Sequence, residues 1–163
     1  MPPTFVVLMK ALVVYYSRTG MTKIVAETIR AILQCDAEEL KDTKDRKGVV
    51  GYMRSGREVM EKGSTTLEPT VRDPAEYDLV IIGTPVWVYT MSTPVKVWLE
   101  QNEAKIKKMA VFCTCGSNPG HAIEDMEAAC GLVAEAKLTV FTRHAKRAMH
   151  VEDTTEFVRK LKA

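Results

Sequence analysis

The amino-acid sequence predicts an α/β protein whose parallel sheet is covered by helices on both faces. Apolar, β-branched runs alternate with segments of helical spacing. The runs YDLVIIG and KMAVFCT lack the polar alternation of a half-exposed strand. Strand, loop, helix and strand repeat in that order along the chain, as in doubly covered sheets.

The first run, Lys10 to Tyr16, leads into the loop SRTGMT and then into Lys23 to Leu33, where Ile24, Thr28 and Ala31 recur at helical spacing. Cys35 to Asp73 carries weaker signals. An edge strand is predicted near Ala37 to Leu40, a charged loop at KDTKDRKG, and an amphipathic helix from Val49 to Lys62. Val49, Met53, Gly56 and Met60 line one side of that helix, with Arg54, Arg57, Glu58 and Glu61 mostly opposite. Packing is the first reading of this apolar side, and self-association into a homo-oligomer the second.

Tyr77 to Gly83 reads as a buried strand and Thr93 to Gln101 as a helix bearing Val95, Val97, Trp98 and Leu99, with Pro94 suited to its first turn. Lys108 to Thr114 is the next strand, CGSNPG a loop, and Ala122 to Cys130 a helix that Gly131 caps. A last strand near Lys137 to Thr142 precedes a short helix from about Thr154 to Leu161.

The chain has 163 residues, enough for one domain, of which 46% are hydrophobic and 27% charged, leaving no long segment too polar to pack. We read 10–163 as that domain and 1–9 as an N-terminal extension. No apolar run reaches the ~18 residues of a membrane span, and Met1 to Thr4 lacks the basic start of a secretory signal. Cys35, Cys113, Cys115 and Cys130 form no Cys-x-x-Cys pair, which fits a reducing cytoplasm. A net charge of +2 is too small to argue for nucleic-acid or membrane binding.

Ser17-Arg18-Thr19-Gly20-Met21-Thr22 is the most informative segment. It places three hydroxyls and a run of backbone N–H groups between a buried strand and a helix N-terminus, the arrangement of an anion site. The plainer alternative is a capped turn into the helix. The chain has no Gly-x-x-x-x-Gly-Lys-Ser/Thr, and no Gly-x-Gly-x-x-Gly follows this strand. A receiver domain needs acidic residues where Tyr15-Tyr16-Ser17 stand, and a cysteine-phosphatase loop needs an Arg that the segment after Cys113 and Cys115 lacks. His121, His144 and His150 show no ligand spacing, so no metal is expected, and no catalytic triad is assembled.

In an open doubly wound sheet, ligands bind outside the carboxyl ends of the strands. Three loops should meet there: SRTGMT, GTPVWVYTMSTP (Gly83 to Pro94) and CTCGSNPG (Cys113 to Gly120). Their chemistry is complementary, with hydroxyls for a phosphate, apolar and aromatic groups for a planar ring, and backbone amides for ring heteroatoms.

Ser17-x-Thr19-Gly20-x-Thr22 resembles the FMN phosphate signature of the flavodoxin family. Gly83-Thr84-Pro85 with Met91-Ser92-x-Pro94 is similar to that fold's second signature, shared with flavodoxin-like NAD(P)H:quinone reductases. The resemblance covers essentially the whole chain and implies a three-layer, doubly wound, five-stranded parallel sheet of order 2-1-3-4-5 with one FMN. It implies that Ser17, Arg18, Thr19, Gly20, Met21 and Thr22 hold the phosphate. Thr84, Pro85, Val86, Trp87, Val88 and Tyr89 would border one side of the isoalloxazine, with Trp87 as the ring contact; a core or interface aromatic is its alternative. Thr114, Cys115, Gly116, Ser117 and Asn118 would border the other side.

Two departures from the family pattern bear on function. Met21 stands where flavodoxins commonly carry Asn, and the third loop lacks the aromatic that stacks on the flavin in electron carriers. An open ring face suits a hydride donor or a quinone. The near-neutral charge likewise differs from the acidic surface typical of carriers. The expectation is therefore NAD(P)H-dependent reduction of a quinone or similar acceptor, the chemistry being the cofactor's. A one-electron carrier between redox proteins is the alternative, and a flavin-free binding or regulatory domain the third reading. Lys137, Arg143, His144, Lys146 and Arg147 are read as a solvated face in preference to an NADPH phosphate site, and Cys113 and Cys115 as unreactive.

Overall fold

The first strand, β1 (Ala11–Tyr15), is buried along its whole length because it serves two cores at once. Ala11, Val13 and Tyr15 face one helical layer while Leu12 and Val14 face the other, the two-residue period of extended backbone. These elements come from a computed structural model that describes residues 9–162. All but Met9 of the expected N-terminal extension lies outside the described residues.

Helix α1 (Met21–Leu33) buries Thr22, Val25, Ala26 and Ile29, spaced to share one face, and ends where Gln34 turns left-handed. Strand β2 (Asp36–Glu39) is half-buried at the sheet edge, pairing Leu12 with Asp36 and Tyr15 with Glu39. After α2 (Gly48–Met60) come β3 (Leu79–Trp87), the two-residue β4 (Thr90–Met91) and α3 (Thr93–Asn102). Strand β5 (Met109–Cys115), α4 (Ala122–Cys130), β6 (Lys137–Phe141), α5 (Thr142–Lys146) and α6 (Val151–Lys162) complete the order.

The parallel strands lie in the order β2-β1-β3-β5-β6. That is the expected five-stranded order; β4 is additional and pairs antiparallel with β3. Val25, Ile29, Ala145, Phe157 and Val158 bring α1, α5 and α6 onto one face. Val95, Trp98, Leu99 and Met126 bring α3 and α4 onto the other. Fully burying a Val, Leu, Ile, Phe or Met side chain contributes about 1.5–3 kcal/mol, so these two layers carry most of the stability.

Gly83 sits where β3 passes the Phe112 ring, and an added Cβ would lie 2.0 Å from its Cζ. Gly83→Ala is expected to lower the unfolding free energy by about 1–3 kcal/mol in urea denaturation, with partial recovery when Phe112→Leu is added. An unchanged midpoint would show that the ring moves aside at no cost.

Three features differ from the sequence expectations. Strand β3 runs four residues past Gly83, turns through Val88 and Tyr89 at φ 46° and 65°, and returns as β4. Neither turn residue is the Gly or Asn that marks such hairpins in sequence. Helix α6 starts three residues early, and α5 was not expected at all.

The third difference corrects the packing reading of α2. Its apolar side points outward, with Val49 at 75%, Met53 at 67% and Met60 at 74% exposure, while Gly51, Ser55 and Glu58 form the buried side. The reason is electrostatic: the Arg46 guanidinium lies beneath α2 and draws its polar residues inward, donating to Ser55 Oγ at 3.0 Å and to Glu58 Oε1 at 2.8 Å. Gly51 permits the close approach, since a Cβ there would meet the Arg46 carbonyl.

Buried His150 joins the last helix to α1, its Nε2 lying 3.0 Å from Thr28 Oγ1. Burial pushes its pKa below the ordinary value of 6.5. The unfolded chain therefore binds the proton more readily, and the native state should lose stability as pH falls below about 6.5. His150→Gln should flatten that part of a stability-versus-pH curve measured by urea denaturation.

Candidate functional site

Strand register brings the three predicted loops to one edge. Tyr15 lies opposite Gly83, Thr84 opposite Cys113 and Pro85 opposite Thr114, so β1, β3 and β5 end side by side. Their carboxyl ends are the edge at which open α/β sheets bind ligands.

In the first loop, Gly20 takes φ +95°, a conformation that favours glycine, and precedes α1 without supplying a side-chain cap. Ser17 Oγ takes that role, accepting from the N–H groups of Gly20 at 3.1 Å and Lys23 at 3.2 Å. The N–H groups of Met21 and Thr22 have no acceptor among the described residues. Thr19 is exposed and Arg18 half-buried. A helix N-terminus with open donors and flanking hydroxyls is suited to a phosphate.

Thr22 is placed differently from its neighbours. It is buried, and its hydroxyl lies 2.7 Å from that of Thr114, tying the first turn of α1 to the end of β5 across 92 positions of sequence. These two predicted site residues meet each other inside the protein.

The second loop is the β3–β4 hairpin. Thr84 is buried at its base, where its Oγ1 accepts from the Ser92 N–H at 2.9 Å and donates to the Pro85 carbonyl at 2.8 Å. Pro85 and Val86 are half-buried, and Val88 and Tyr89 project at the tip. Trp87 is 7% exposed. The edge of Tyr16 meets its ring at 5.5 Å and 87°, and the Arg46 guanidinium lies 5.0 Å from its centroid. Burial pushes the Tyr16 phenol up to about 12, so it stays neutral.

The third loop leaves β5 at buried Cys115 and exposes Gly116, Ser117 and Asn118. Asn118 Oδ1 accepts from the Gly120 N–H at 2.8 Å, and the Tyr89 carbonyl accepts from His121 N–H at 2.8 Å, joining this loop to the hairpin. Gly120 is required there, because at φ +55° an added Cβ would lie 2.2 Å from the Tyr89 carbonyl oxygen. Thr142, which begins α5, donates to the Cys115 carbonyl at 3.1 Å and steadies the strand end.

The thiols do not point to nucleophilic chemistry. Burial pushes Cys113 up to about 11 and raises Cys115 as well. Among the described residues no group of His, Cys, Asp and Glu could hold a metal ion. No described helix is long and apolar enough to cross a membrane.

Two contributors escaped the sequence reading. Tyr52 of α2 lies under Arg18, guanidinium carbon to ring centroid 5.3 Å, and Arg46 covers Trp87. Arg46 sits in the run KDTKDRKG, where its composition matches an exposed loop; the Asp42/Arg46 spacing is the one available signal.

The sheet order is that of a doubly wound fold, with the hydroxyl, aromatic and amide-bearing loops gathered at the carboxyl ends of its strands. The flavodoxin family profile matches residues 10–153, and the chain belongs to that family. Among curated proteins, none matches the chain. The solved structures similar to it include three flavoproteins. A flavoprotein of Lactobacillus acidophilus NCFM in complex with FMN superposes with a TM-score of 0.67 at 22% identity, covering 85% of this chain and 97% of that one. The apo form of the flavoprotein from that organism gives 0.62 at 25% identity, covering 81% and 92%. A flavodoxin from the domain Archaea gives 0.52 at 19% identity, covering 90% and 99%.

Proposed function

We propose that the chain binds one FMN at the converging loops and serves as an NAD(P)H-dependent reductase of a quinone or similar acceptor. The observation that carries the reading is the alignment of the ends of β1, β3 and β5, which gathers an open helix N-terminus, an aromatic hairpin and an exposed amide loop at one edge. Family membership and the FMN complex of the Lactobacillus flavoprotein support the cofactor.

In this reading Ser17, Thr19 and the N–H groups of Met21 and Thr22 hold the phosphate, and the α1 dipole favours its charge. Thr22 and Thr114 act through their mutual hydrogen bond, fixing helix and strand relative to each other. Thr84 and Ser92 set the hairpin that carries Trp87. Gly116, Ser117 and Asn118 offer backbone donors and acceptors to the ring's polar edge. FMN supplies hydride and electron transfer when bound, and the protein supplies position and electrostatics. The near-neutral charge of +2 favours a reductase over a carrier that depends on acidic steering.

Anaerobic titration of the FMN-reconstituted protein with NADH and with NADPH, following flavin absorbance, tests this. Bleaching by either nicotinamide within seconds supports the reductase. Bleaching only by dithionite or a partner reductase makes the protein a carrier, and a protein that stays colourless after reconstitution removes the FMN reading.

A further inference from the structure

The apolar side of α2 forms a crest that nothing among the described residues covers. Val49, Met53 and Met60 lie opposite the buried Gly51, Ser55 and Glu58, so they make the outermost line of the helix. Val50 and Tyr52 extend it, at 71% and 65% exposure. Across a groove of about 440 Å³ stands the β3–β4 hairpin, where Val88 and Tyr89 are exposed at the tip.

The same stretch concentrates the positive charge of the chain. Residues 45–62 hold five basic and three acidic side chains, an excess equal to the +2 of the whole chain, so the remainder is balanced. Lys47, Arg54 and Lys62 are exposed and have no carboxylate partner among the described residues. Arg18 adds a guanidinium 5.3 Å from the Tyr52 ring centroid. We infer that the crest of α2 and the hairpin tip dock on an anionic lipid surface.

Shape and charge together select that partner. An apolar line with Lys47 before it, Lys62 after it and Arg54 beside it has the pattern of a helix lying in the plane of a bilayer surface. The apolar side chains enter the acyl boundary while the long basic ones reach the lipid phosphates. Tyr52 and Tyr89 suit the headgroup level, where one end of the side chain is apolar and the other wet. A second copy of the chain would set Lys47, Arg54 and Lys62 against like charges, which disfavours self-association. A folded protein would need a cavity shaped to the crest, whereas a fluid layer closes around it. Docking in this way would hold the hairpin, and with it the carboxyl ends of the strands, beside the bilayer. Neither the crest nor its charge depends on a bound flavin.

Cosedimentation of the full chain with vesicles is the test, using phosphatidylcholine alone and phosphatidylcholine with about one third phosphatidylglycerol. The chain should pellet with the anionic vesicles, stay in solution with the neutral ones, and be released as salt rises. Met53→Asp and Arg54→Glu should each weaken binding by about 10-fold or more. Val133→Asp, at an exposed apolar position before the amino end of β6, should leave it unchanged. Met53 and Arg54 are exposed, so urea midpoints should stay near that of the wild type in both variants. Absence of pelleting with anionic vesicles would overturn the inference and leave the face to a protein partner. Equal pelleting with neutral vesicles, or an equal loss in Val133→Asp, would overturn it by removing the role of charge or of this face. Binding that survives both α2 variants and fails on deletion of residues 1–8 would give the anchor to that segment instead. A dimer in light scattering that Met53→Asp dissolves would overturn it too, by giving the crest to a second copy.

Discussion

Ser17→Ala combined with Thr19→Val is expected to raise the FMN dissociation constant by roughly 10²–10⁴-fold, from two hydrogen bonds to a charged acceptor at ~1.5–3 kcal/mol each. The pair is chosen because the loop treats its three hydroxyls differently. Thr19 is exposed, so its replacement should change stability by no more than about 0.5 kcal/mol. Ser17 accepts from two N–H groups at the start of α1, so its loss costs a helix cap, about 1 kcal/mol. Thr22→Val, by contrast, strands the buried Thr114 hydroxyl and should cost about 1–3 kcal/mol of stability, confusing affinity with folding. Fluorescence titration of FMN, with urea denaturation of each flavin-free variant beside it, separates the two effects. Unchanged FMN affinity in the double variant would remove the phosphate-site assignment.

That contrast shows how far the sequence carries. The order of hydroxyls in SRTGMT is legible because a strand and a helix on either side restrict where the loop can go. Which hydroxyl opens outward is not legible. Thr22 turns inward only because Thr114, 92 positions later, ends β5 beside it. The parallel, doubly covered sheet is legible for a similar reason, since apolar runs without alternation need cover on both faces; the strand order is legible only through the resemblance of the loops to the flavodoxin family. The hairpin at Val88 and Tyr89 escapes because its left-handed turn carries residues that seldom adopt it.

The helix α2 is the sharper case. Its period is visible, but its orientation is not, since apolar spacing gives a face and says nothing of what waits beneath. Here a buried guanidinium waits. The side of α2 holding Ser55 and Glu58 turns inward to meet Arg46, and Val49, Met53 and Met60 are left facing out. Binary patterning fails where an ion cluster takes the place of an apolar core.

Arg46→Met is accordingly expected to destabilise the protein by about 3–5 kcal/mol, the cost of removing one partner from a buried ion pair. Arg46, Asp42 and Glu58 are nearly inaccessible, with side-chain exposures of 2%, 2% and 8%. The guanidinium donates to Asp42, to Glu58 at 2.8 Å and to Ser55 at 3.0 Å, and Lys44 adds a 2.8 Å bond to Glu58. Burial alone would raise the Glu58 pKa, but the hydrogen bonds from Lys44 and Arg46 outweigh it and hold the carboxyl below its ordinary value of 4.5. Ionised Glu58 therefore stabilises the native state above about pH 4.5, and that contribution fades as the pH falls through the lowered value. In Arg46→Met the acid-side loss should shift to higher pH, because an unpaired buried carboxyl takes up its proton earlier. Urea denaturation between pH 3 and 7 reads both effects, roughly spanning the carboxylate range. The triple variant Asp42→Leu, Arg46→Met, Glu58→Leu distinguishes the cause, since replacing a whole buried cluster by apolar residues is often near neutral. Recovery in the triple variant would attribute the loss to uncompensated charge. A loss that persists would attribute it to the guanidinium's stacking on Trp87, and the hairpin, not the ion cluster, would then be what holds α2 in place.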